Sequence, residues 1–205
     1  PGTYPITSFG TTMTDRYGAT LPVHIFLPTG PGPFPTVFVS EGYLPPGIEV
    51  DAYSDMSGLF WIAERIASCG YVFVYFDFEG QGDAENVING EPTFWPDFWP
   101  WEHDLEDVIN WTLTKSVNDS SSQIYQKIDP TRLANMGHST GGAMCIVETA
   151  LDSRIKACAP LAPYDHAWGL VPPQNWYKIP YPTDLDGYDA GNRSIADRPV
   201  PLLIT

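Results

Sequence analysis

The stretch Arg132-Leu-Ala-Asn-Met-Gly-His-Ser-Thr-Gly-Gly-Ala-Met-Cys-Ile-Val-Glu-Thr-Ala150 decides the fold. Arg132 to Gly137 reads as a short strand, and from Thr140 the apolar positions Ala143, Met144, Ile146, Val147 and Ala150 take helical spacing. Between them stands Gly137-His138-Ser139-Thr140-Gly141, a G-x-S-x-G pentapeptide followed by Gly142. In a strand-turn-helix context this pattern makes a nucleophile elbow, in which the serine backbone is strained and larger flanking residues would collide with the strand and helix. The turn lifts the serine hydroxyl above the sheet edge, and the next amide points at a developing oxyanion. Ser139 is therefore the candidate nucleophile and the Thr140 amide a candidate oxyanion donor. The competing reading is an ordinary Gly-rich turn.

Working outward, short apolar runs alternate with helical patterns. Leu21 to Leu27 and Thr36 to Ser40 read as strands separated by the Pro/Gly-rich turn Pro28 to Pro35. Asp51 to Ser68 has helical periodicity that stops at Cys69-Gly70, and Tyr71 to Phe76 is apolar throughout, as suits a strand buried on both faces of a parallel sheet. Turn chemistry from Gly80 to Pro100 precedes a helix from about Trp101 to Ser116. Ile155 to Leu161 and Pro199 to Thr205 read as further strands. This order predicts an α/β fold with a doubly wound, mostly parallel sheet, residues 1–205 forming one domain. Its upstream loop Glu41-Gly42-Tyr43 follows a strand directly, and Gly42 lets backbone approach a ligand closely. The Tyr43 amide is the second candidate oxyanion donor and its ring a candidate wall of the acyl site.

Composition narrows the partners. The 205 residues carry 10 Lys and Arg against 25 Asp and Glu, a formal net charge of -15. That field repels phosphate backbones and anionic lipid, so nucleic acid is excluded as a partner, and no apolar run has the length of a membrane span. With 43% hydrophobic residues the chain can build a core. Three cysteines are read as buried small hydrophobes. The chain opens at Pro1 with no charged region followed by an apolar one, so export is not legible there.

These motifs carry a resemblance. The chain resembles the α/β-hydrolases, and within them the bacterial cutinase and polyester-hydrolase group, a branch of the dienelactone-hydrolase-like and platelet-activating-factor-acetylhydrolase-like enzymes. The likeness rests on Ser122-Gln-Ile-Tyr-Gln-Lys-Ile-Asp129, Thr131-Arg132, Met136-Gly-His-Ser-Thr-Gly-Gly142, Ile155-Lys-Ala157, Ala159-Pro-Leu-Ala-Pro-Tyr-Asp165 and the placing of Gly42-Tyr43. It implies a serine carboxylic-ester hydrolase working through an acyl-enzyme on Ser139, with no cofactor and no metal, on small or medium acyl esters or polyesters. Tyr43 and Thr140 match the oxyanion-hole positions. Tyr164 stands where a substrate-facing Trp is common, and Thr140 replaces a usual Met, which makes that side of the pocket smaller and more polar. A secreted or extracellular location follows from the same resemblance, with the cytoplasm as the alternative.

In such folds the acid and the histidine follow the nucleophile in the order Ser, Asp or Glu, His. The acid is expected within about five residues after Thr205 and the histidine further on, so the chain reads as the first two-thirds or so of a hydrolase of about 260 to 300 residues, inactive alone and missing the last strand and helix. Asp165 is a lesser candidate for the acid. His166 cannot comfortably reach the same site, His138 reads as a packing residue, His103 as a capping or surface group, and His24 as a strand residue among apolar neighbours. Residues 166–198 are a candidate lid, and the Trp-rich loop Phe94 to Trp101 either a substrate rim or a satellite core. Asp184, Asp186 and Asp189 lack an EF-hand spacing. Two rival functions stay open: a non-catalytic binding domain of the same fold, and a serine peptidase.

Overall fold

A computed structural model describes residues 2–42, 59–85, 87 and 99–162. In chain order the elements are β1 (Ile6–Thr14), β2 (Thr20–Pro28), β3 (Phe34–Ser40), α1 (Leu59–Ser68), β4 (Val72–Phe76), α2 (Trp99–Asn118), β5 (Ile128–His138), α3 (Thr140–Leu151) and β6 (Ile155–Leu161). The strands form one six-stranded sheet in the order β1-β2-β4-β3-β5-β6. The β4-β3-β5-β6 run is parallel, and β1 and β2 pair antiparallel at one edge. The strands expected around 21–27, 36–40, 71–76, 132–137 and 155–161 and the helices around 101–116 and 140–150 are all present, and β1 is an additional strand.

Period-two alternation assigns the two faces of the sheet. Phe26, Val39, Phe73 and Tyr75 pack with Ala63 and Ala67 of α1 on one side. Val23, Ile25, Phe38, Val72, Val74 and Phe76 pack with Leu105, Val108 and Ile109 of α2 and Met144 and Val147 of α3 on the other. All five residues of β4 are buried, as their uninterrupted apolar run implies. Helices on both faces cover the sheet, the arrangement expected from the alternation of elements.

Electrostatics fasten the β1-β2 hairpin to α2. The backbone amide and Nε of Arg16 donate to Asp107 Oδ2 at 2.8 and 3.1 Å. His103 is buried in the first turns of α2 and hydrogen-bonds the Tyr17 hydroxyl, so it is not the capping or surface group that its place near a helix start suggested. Below it, Asp15, Glu79 and Asp104 bring one carboxylate oxygen each within 4.8 Å of one another, near enough to share a cation. Backbone amides already engage them: Asp15 Oδ1 accepts from Tyr17 and Ala19, Glu79 Oε1 from Val87 and Asp104 Oδ2 from Glu79. Complete burial, reinforced by the charges of Asp15 and Glu79, lifts the Asp104 carboxyl well above the usual range. A neutral Asp104 can donate to Asp15, so a proton suffices to hold this knot together. Of the cysteines, Cys145 and Cys158 are buried as expected, whereas Cys69 is exposed because α1 ends beside it in the turn at Gly70.

Asp104→Asn stays neutral and keeps an acceptor for the Glu79 amide. In urea unfolding it is expected to match or exceed wild-type stability at pH 8, where the unfolded Asp104 is ionised and the native one is not. Asp104→Leu strands that amide and is expected to lose about 1–3 kcal/mol.

Candidate active site

The parallel strands β3 and β5 end side by side, and the site grows from their carboxyl ends. Ser40 pairs with Gly137 in the register of the two strands, so Glu41 and Gly42 leave the sheet beside the turn into α3. That turn is Ser139, at φ 53 and ψ -119, an orientation that L residues rarely adopt. Its amide donates to Leu161 O of β6 at 3.0 Å, and its carbonyl accepts from Ala143 at 3.1 Å, opening the helix. The Ser139 side chain makes no capping bond to that helix. A hydroxyl held at a helix N-terminus without a capping role is free for chemistry, and the first amides there have no intrahelical partner.

Three glycines make the turn sterically feasible. A Cβ on Gly137 would stand 2.5 Å from Gly141 C and O, and one on Gly141 would stand 2.3 Å from Glu41 O and 2.4 Å from Ser40 O. At Gly42 a Cβ would come within 3.1 Å of Ser139 Cβ and 3.2 Å of His138 Nδ1. The loop after β3 therefore lies directly against the serine. Ser40 Oγ donates to Gly141 O at 3.2 Å and tightens the same contact. Thr140 is buried behind Ser139, and its Oγ1 finds no partner among the described residues.

The other expected site residues sort as follows. Tyr43, Tyr164, Asp165, His166, the 166–198 segment, most of the Trp-rich loop and the strand Pro199 to Thr205 lie outside the described residues. His138 is exposed beside Gly42, where the sequence suggested packing: β5 ends at this residue, and no element among the described residues covers it. His24 sits in β2 against the Tyr75 ring, with centroids 6.4 Å apart. Burial holds the Cys145 thiol well above its ordinary range, which leaves it inert as a nucleophile.

One group escaped the sequence reading. Glu41 is buried at the root of the loop, hydrogen-bonded to the Tyr75 hydroxyl, which donates to Asp77 Oδ1 at 3.2 Å. Desolvation first, then the Asp77 charge, pushes the Glu41 carboxyl up to about 7 against the opposing hydrogen bond from Tyr75. Burial likewise raises Asp77, against the opposing bond from the Asp83 amide to its Oδ2. A charged residue directly after the apolar run Thr36 to Ser40 was the signal available in the sequence.

Comparison with known proteins gives the family and the fold. The chain is 29% identical over 165 residues to Cutinase 2 of Thermobifida cellulosilytica, covering 80% of this chain and 51% of that protein. It is 29% identical to Cutinase cut1 of Thermobifida fusca, covering 80% of this chain and 42% of that protein. The chain thus spans about half the length of the curated relatives it matches. Among solved structures, a hypothetical protein from Pseudomonas aeruginosa superposes with a TM-score of 0.59 at 22% identity, over 80% of this chain and 46% of that one. An acetyl xylan esterase from Paenibacillus sp. R4 does so at 0.57 and 20% identity, over 78% and 49%. Both share the fold. Residues 2–196 match the PET hydrolase-like family model, and with nearly the whole chain inside that match, the protein belongs to the PET hydrolase-like family.

Proposed function

We propose that the protein is a serine carboxylic-ester hydrolase that works through an acyl-enzyme on Ser139. The observation that carries this reading is the backbone of Ser139, held at φ 53 between the end of β5 and the start of α3 with Gly42 packed on its Cβ. Strain of this kind persists only where the surroundings over-determine it, and it clusters at reacting groups. The cutinase relatives supply the reaction class, since an ester carbonyl is the electrophile those names imply.

In this reading Ser139 Oγ attacks the ester carbonyl while its proton passes to a general base. The tetrahedral oxyanion takes hydrogen bonds from the Thr140 amide and the Tyr43 amide. The intermediate collapses, the alcohol leaves with the proton, and water then attacks the acyl-enzyme by the same route in reverse order. The base and its acid partner are assigned to residues outside the described set; Asp165 is the lesser candidate for the acid. Tyr43 and Tyr164 provide aromatic walls for the acyl group, and the substrates are small or medium acyl esters or polyester segments.

Ser139→Ala in the full-length protein is expected to abolish turnover of a chromogenic short-chain ester while leaving the circular dichroism spectrum unchanged. Residual activity above about a thousandth of wild type contradicts the role of Ser139. Gly141→Ala is expected to fold poorly or lose at least about 3 kcal/mol in urea unfolding, because its new Cβ meets backbone atoms that cannot rotate away.

A further inference from the structure

Glu41 is an unusual residue to bury at the root of a catalytic loop. It is 7% exposed, and its Oε1 has no hydrogen-bond partner among the described residues. Its carboxyl shares the Tyr75 phenol with Asp77, itself 4% exposed. A phenol has one O–H to give. A charged Glu41 competes with Asp77 for that one O–H, which is the influence that lowers its carboxyl; with the O–H given to Asp77 Oδ1, the chain is completed by a protonated Glu41 that donates to the Tyr75 oxygen.

The mechanical link from this chain to the site is short. Glu41 is the first residue beyond β3, and its carbonyl presses on Gly141 of α3. The next residue, Gly42, touches Ser139. Tyr75, by contrast, is fixed in β4, which is paired on both edges. If the pair loses its shared proton, the loop root is the part able to move.

Resting on the serine-hydrolase reading above, we propose that Glu41 is a positioning residue whose protonated carboxyl, bonded through Tyr75 to Asp77, holds the oxyanion loop against Ser139. Loss of that proton acts twice in one direction. It places a second anion beside Asp77 and loosens the loop root, and it sets a negative charge near the point where the oxyanion develops. Among the described residues the titratable groups around Glu41 are Tyr75 of β4 and Asp77 beyond it, Asp83 in the following turn, whose amide lowers Asp77 while its charge raises it, His24 of β2, which lowers Asp77, and His138 at the end of β5 beside Gly42. Both forms of Glu41 are accessible near neutrality, since burial brings its carboxyl to about 7.

The test uses Glu41→Gln, which keeps a donor toward Tyr75 and cannot ionise. In the full-length protein, wild-type kcat for a chromogenic short-chain ester is expected to fall at least about fivefold from pH 7 to pH 9, with KM little changed. Glu41→Gln is expected to lose that alkaline limb and keep the rising acid limb of the general base. A readout independent of turnover accompanies it. Glu41 binds a proton more tightly in the native than in the unfolded state, so its contribution to stability declines as pH rises from about 4.5 to about 7. Glu41→Gln is therefore expected to raise Tm relative to wild type at pH 8 and to leave it close to wild type at pH 4.5. An alkaline limb retained in Glu41→Gln, or a Tm difference that does not grow with pH, overturns the proposal. If Ser139→Ala still turns over the ester, the hydrolase reading falls and the catalytic role of Glu41 with it. If Ser139→Ala is inactive and the Glu41→Gln profile matches wild type, only the Glu41 proposal falls.

Discussion

The site depends on one steric constraint: three chain segments meet with no room for a side chain between them. The end of β5, the first turn of α3 and the loop after β3 approach until Cβ atoms at Gly137 or Gly141 would overlap backbone. Ser139 can take its positive φ only because those neighbours have none. The parallel pairing of β3 with β5 sets the approach, and the bond from Ser139 N to Leu161 O ties the turn to β6. The sheet order brings β3, β5 and β6 side by side, and the glycines let the turn close against them.

Burial of acids is the second theme. The chain is strongly acidic, and several of its carboxyls sit inside the protein instead of on its surface. Two groups stand out: Asp15, Glu79 and Asp104 beside the hairpin, and Glu41 and Asp77 at the root of the loop after β3. In each, desolvation is the largest influence on the raised carboxyl and like charge adds to it. The first fastens the β1-β2 edge to α2. The second lies where a change of charge is felt by the loop that touches Ser139.

Most of the parallel sheet was legible because β3, β4 and β6 are short, apolar and bounded by Gly or turn residues. β1 was not, since Ile6–Thr14 is largely Thr, Ser and Gly and buries only Met13 deeply, as an edge strand can. The start of β5 at Ile128 was not legible either, because Pro130 obscures the strand pattern upstream of Arg132. At the site, Ser139, Thr140 and the glycines were readable from a local pattern whose spacing is itself the geometry. Glu41 and His103 were not, because their partners Tyr75 and Tyr17 lie on other elements and only the tertiary fold brings them together.

On the proposed reading, Ser139 is a nucleophile held ready by its strained turn. Treatment of the full-length protein with a fluorophosphonate, followed by peptide mass mapping, tests it most directly. A single stoichiometric phosphonyl adduct on Ser139 is the predicted result. An unmodified Ser139, or an adduct confined to another residue, would contradict it.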